Sequence, residues 1–143
     1  MIIELLDIDR SARTPYVGTM RYLPHPTREQ IELAAVLEAL SDSTRLGIVI
    51  GLADQETEWE ARCGEFTHLG SKTNLTYHFA KLRAAGVTHA RVEGTSRFIS
   101  LRREDLDARF PGLLETIIKA ARASREKRKP VLPDHKPRAR VAR

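Results

Sequence analysis

Two runs, "VTHARV" and "RFISL", alternate in the manner of β-strands, and "EGTS" between them is a tight turn built on Gly94. The sequence on either side reads mostly as helix, and a chain with one short hairpin among helices has few folds open to it. Thr27 with Gln30 three residues on, behind Pro26, is a capping-box start for a long helix through "REQIELAAVLEAL". "SDSTR" breaks that helix, with Ser43 or Thr44 capping a second one, "RLGIVIGLA". A weak third helix falls within Trp59 to Phe66, "THLGS" is a turn, and Ser71 caps a fourth helix that stops at Gly86. After the hairpin, "REDLDARF" is a short helix ended by Pro111-Gly112, and "LLETIIKAARA" is the last helix. This order predicts a mainly α fold with a β-hairpin wing, the winged helix-turn-helix arrangement.

The 143 residues divide into an arm over 1–26, a folded unit over 27–123 and a basic tail over 124–143. The arm is broken by Pro15, Gly18, Pro24 and Pro26 into extended or turning chain, and the tail reads as solvated and disordered. No run approaches the roughly 18 apolar residues of a membrane span, and "MIIELL" lacks a signal-peptide pattern. The lone Cys63 excludes an internal disulfide framework. The expectation is a soluble cytoplasmic protein.

The net charge of +5 belongs to the tail, which holds eight of 24 basic residues and two of 19 acids. The remainder carries 16 basic and 17 acidic residues, so global charge says little about partners. Local charge says more. From Phe66 to Val92 there is no Asp or Glu, and the gap covers the fourth helix. On that helix Leu75, Phe79 and Leu82 form the buried stripe, with His78 at its edge. Thr73, Tyr77 and Lys81 lie opposite, flanked by Asn74, Thr76, Ala80 and Ala84, with Lys72 in the first turn. Most surface helices have a polar face without any ligand. Here the face lacks acids that would repel phosphate, offers short donors and acceptors, and sits between a short helix and a hairpin. Such a helix is braced to enter the major groove. Lys72, Thr73, Thr76 and Tyr77 are assigned to bases or adjacent phosphates, and Asn74 and Lys81 to the backbone. On the wing, Arg91 and Arg97 are candidates for a flanking phosphate or the minor groove.

"LAAVLEALSDSTRLGIV", "SKTNLTYHFAKLRAAGV" and "RVEGTSRFISLRREDLDARFPGLL" together resemble the ArsR/SmtB family of bacterial winged-helix repressors. The match runs from about Pro24 to Ala121. The family's Pro-Thr-Arg-Leu appears as Ser43-Thr44-Arg45-Leu46, and Tyr77 stands where a groove-facing histidine is usual. The resemblance implies a homodimer, paired through the first and last long helices, that represses at a palindromic operator until a signal releases it. The sequence supports pairing independently, because the first helix is apolar almost all round and the last has a broad apolar face. Leu33, Val36, Leu37, Leu113, Leu114, Ile117, Ile118 and Ala121 are the expected interface.

Many relatives sense metals, and this chain departs from them at the ligands. The thiolate site needs at least two sulfurs, whereas Arg62-Cys63-Gly64 supplies one, and the last helix has Glu115 but no histidine. No metal or cofactor is expected. Cys63 is a candidate redox switch or a small buried hydrophobe. A small-molecule effector, a protein effector and no effector stay open. A winged-helix interaction module, touching nucleic acid through its tail, is the alternative from another class. No nucleophile triad, phosphate-cradling glycine loop or paired carboxylates in a cleft supports an enzyme.

Overall fold

The computed structural model describes residues 20–55 and 60–128. Most of the arm, Trp59 and the tail beyond Arg128 therefore lie outside the described residues. Strand β1 (Met20–Tyr22) leads to a 3-10 turn at Arg28–Gln30, helix α1 (Leu33–Leu40) and helix α2 (Ser43–Ala53). Strand β2 (Ala61–Arg62) and a 3-10 helix at Cys63–Leu69 precede helix α3 (Lys72–Ala84). The wing is β3 (Thr88–Glu93) and β4 (Ser96–Leu101), followed by α4 (Arg103–Arg109) and α5 (Leu113–Arg128). The winged helix-turn-helix expectation matches this order, and α5 continues through "SREKR", past the expected start of the tail.

Several boundaries differ from the sequence expectation, each for a tertiary or capping reason. The Thr27 box is present, with Gln30 Oε1 accepting from Thr27 N at 2.9 Å, but it caps only the 3-10 turn. Ile31 then goes extended and buries fully, delaying the α-helix to Leu33. Ile31 fits because Gly86 has no side chain: a Cβ there would lie 2.6 Å from Ile31 Cγ1. The Ile31 carbonyl freed by the break accepts from Arg109 Nε and Nη2 at 3.2 and 2.8 Å. Helix α2 is capped by Asp42, not Ser43 or Thr44: one carboxylate oxygen accepts from Thr44 N at 2.8 Å and Arg45 N at 3.0 Å. The weak third helix is a 3-10 helix that absorbs "THL" and buries Phe66 against the faces of α2 and α3. Gly51 makes room for it, since a Cβ there would meet Phe66 Cε1 at 2.9 Å.

The hairpin closes through Gly94-Thr95 with Gly94 at φ 58°, in the register Glu93↔Ser96 to Thr88↔Leu101. Two strands not anticipated from the sequence flank it, giving an antiparallel sheet in the order β1-β3-β4-β2. The core gathers Ile48 and Val49 of α2, Leu82 of α3, Val87, Ile99 of β4 and Ile118 of α5. Val36, Ile118 and Ala121, expected at a dimer interface, point into this core, so the protomer itself covers them. Leu113, Leu114 and Ile117 are half-buried against the same core, while Leu33 and Leu37 stay exposed.

Candidate nucleic-acid interface

Helix α3 is held at both ends by its own sequence. Ser71 Oγ accepts from Asn74 N at 3.3 Å, and no acid occupies the first turn. At the other end Gly86 N bonds Arg83 O and Val87 N bonds Leu82 O, both at 3.0 Å, with Gly86 left-handed at φ 81°. That is a Schellman stop, which fixes the helix length and turns the chain into β3. Lys81 and Arg83 in the last turn complement the helix dipole.

The inner face buries Leu75, Phe79 and Leu82, as the periodicity predicts, and the ring of Phe79 meets Phe66 edge-on at 5.9 Å. His78 is buried rather than at the edge. Its Nδ1 lies 3.3 Å from Arg45 Nη1 and 3.9 Å from Asp42 Oδ1; the shorter contact and the donor-only guanidinium make Nδ1 an acceptor from Arg45. Arg45 is itself buried and also donates to Ala39 O at 2.6 Å and Glu38 O at 3.3 Å. One guanidinium on α2 thus joins the last carbonyls of α1 to the inner face of α3.

The outer face is open. Lys72, Thr73, Asn74, Thr76 and Tyr77 are exposed, and Lys81 is half-buried. Tyr77 is 54% accessible, with Lys81 Nζ 5.6 Å over its ring and His78 edge-on to it at 5.4 Å. Thr76 donates its hydroxyl to Lys72 O at 2.9 Å, and its oxygen keeps acceptor capacity. Across from the helix, the wing arginines divide. Arg97 of β4 is half-buried with no acidic partner among the described residues. Arg91, the other wing candidate, is paired with carboxylates. It binds Glu60 with Nε at 2.8 and 2.9 Å and Nη2 at 2.6 Å, binds Glu93 at 2.7 Å, and stacks 4.4 Å over Phe98. Those carboxylates, Glu60 first, hold the guanidinium's pKa above its ordinary value. Glu60 is the residue that sequence reasoning missed, since nothing local ties it to a wing about 30 residues away.

Cys63 is half-buried, and burial pushes its thiol up to about 11, with Arg97 opposing only weakly. A thiol that stays protonated at neutral pH is a poor nucleophile, which weighs for the small buried hydrophobe and against a redox switch. Among the described residues no group of three or more His, Cys, Asp or Glu is placed to hold a metal, and no helix is long and apolar enough to cross a membrane.

A braced helix with an open, acid-free face beside a hairpin defines a winged helix-turn-helix regulator. No family model matches the chain. It is 37% identical over 89 residues to an uncharacterized HTH-type transcriptional regulator, YceK, of Bacillus subtilis strain 168, an alignment covering 59% of this chain and 84% of that one. This chain belongs to the HTH-type transcriptional regulators. A solved crystal structure of an ArsR family transcriptional regulator is also similar, with a TM-score of 0.46 at 19% identity, covering 73% of this chain and 94% of the other.

Proposed function

We propose that the protein is a cytoplasmic, non-enzymatic, homodimeric repressor that binds a palindromic operator through α3. The observation that carries this reading is the outer face of α3: five exposed side chains from Lys72 to Tyr77, none acidic, on a helix whose inner face is locked. Thr73, Thr76 and Tyr77 meet base edges, with the acceptor oxygen of Thr76 suited to the amino groups of cytosine or adenine. Lys72, Asn74, Lys81 and, from the wing, Arg97 meet phosphates. The ArsR/SmtB-like motifs support repression and two-fold pairing, which sets the two α3 helices about 34 Å apart, one turn of DNA. Exposed Leu33 and Leu37 on α1 support a partner on that side.

The test is to select bound duplexes from a random pool and titrate the winner at several salt concentrations by fluorescence anisotropy. Thr76→Ala and Tyr77→Ala should each cost about 1–3 kcal/mol on the selected site and relax base preference. Lys72→Ala and Lys81→Ala should weaken every duplex alike and lower the salt slope by about 1 each. Equal losses on all sequences from all four changes would remove base reading from α3. Loss of all binding on truncation after Arg128 would move the contact to the tail.

A further inference from the structure

The space between α3 and the wing is a cavity of about 580 Å³, within the range that holds small molecules. Its floor is hydrocarbon: Leu75 and Phe79 from α3 and Val92 from β3. Its rim is cationic, with Lys72 from the first turn of α3, Arg97 from β4 and Arg62 from β2. Thr76 and Ser96 add hydroxyls, and no carboxylate lines it. Neither Lys72 nor Arg97 has an acidic partner among the described residues, so both charges are available to an incoming group. A sugar-phosphate backbone would use the rim but has no use for the floor. The combination suits a molecule with an apolar ring or chain at one end and one negative charge at the other.

We infer that this cavity is a binding site for small amphipathic anions, an aryl or alkyl carboxylate in chemical class, seated with its hydrocarbon on Leu75, Phe79 and Val92 and its charge between Lys72 and Arg97. Because Lys72, Thr76 and Arg97 are also the groups offered to DNA, an occupied cavity and a bound operator exclude each other. That competition rests on the proposed DNA reading; binding of the anion does not.

Titrating the full chain calorimetrically with 1-naphthoate, without DNA, tests the site. One saturable site per protomer is expected, and 1-naphthylmethylammonium, the same ring with opposite charge, should bind at least about tenfold more weakly. Gly64 lines the cavity, and a Cβ there meets nothing, so Gly64→Phe should fill the space and abolish binding without straining the fold. Arg97→Gln should erase the preference for the anion. Cys63 also lines the cavity, so naphthoate should slow its alkylation by iodoacetamide in the unaltered protein, a readout independent of any variant. Equal affinity for the two charges, indifference to both substitutions, or unprotected Cys63 would overturn the assignment. Adding naphthoate to the protein–operator complex should release the DNA, and a ternary complex would overturn the competition. A protein that takes naphthoate but no duplex keeps the site and loses the DNA reading; one that takes duplex but no naphthoate does the reverse.

Discussion

Arg45 is the residue that ties α1 to α3 through side-chain hydrogen bonds. Among the described residues it is a buried cation with no ion-paired carboxylate, satisfied instead by two carbonyls at the negative end of α1 and by a ring nitrogen of α3. Removing it leaves Ala39 O and His78 Nδ1 buried without this donor, while Glu38 O keeps Ser41 N at 3.2 Å and Ser41 Oγ at 2.7 Å. Arg45→Ala should therefore cost about 2–4 kcal/mol, which lowers Tm by on the order of 10–20 °C in a domain of this size. Arg45→Lys should recover only part of the loss, because an ammonium cannot fork across three acceptors on two helices. Thermal melts by circular dichroism check this, and an unchanged Tm in Arg45→Ala would show that the helices are held by packing alone. The sequence places Arg45 in a recognisable motif, but its burial and its three partners are invisible there, since His78 lies 33 residues away.

At the scale of elements, legibility follows the range of the interactions. The limits and both faces of α3 could be read because a cap, a stripe and a stop glycine are all local signals. The break at Ile31 could not, because the competing contact is with Gly86. Strands β1 and β2 were also hidden, being three and two residues long with partners far along the chain. The junction of β1 with β3 carries a testable acid sensitivity. Ala90 N donates to His25 Nε2 at 2.8 Å, and the rings of His25 and His89 stack at 4.3 Å. Burial first, then His89, with Arg83 and Arg102 adding smaller repulsion, holds His25 below its ordinary value of 6.5. The folded state thus binds its proton less readily than the unfolded chain, so this junction's contribution is complete above about pH 6.5 and declines as pH falls through the lowered folded value. Protonation also removes the acceptor for Ala90. Hydrogen exchange at the Ala90 amide, corrected for intrinsic rates, should accelerate on going from pH 7.5 to 5, and His25→Gln, which keeps an acceptor without a titration, should flatten that dependence. The same acceleration in His25→Gln would assign the effect elsewhere.

For the whole molecule, the question is what covers α1. Leu33 and Leu37 are each 45% accessible and one turn apart, beside an apolar cleft lined by Val36, Leu40, Leu106, Leu113, Leu114 and Ile117. If a second copy sits there, Leu37→Glu should yield a monomer in sedimentation while leaving the protomer's own melt nearly unchanged, because residue 37 already faces solvent. Affinity for a palindromic duplex should fall by at least about tenfold, since one reading helix replaces two. A dimer that survives the substitution would place the two-fold axis on another face. The sheet bears on assembly in the opposite sense. A hairpin with unpaired edges is an open invitation to strand addition, and a population of such molecules at high concentration is at risk of zipping into filaments. Among the described residues β1 runs along one side of the hairpin and β2 along part of the other, so the backbone rims left bare there are a few residues long, too short to template growth. If the hairpin meets DNA as proposed, it does so without also recruiting its neighbours.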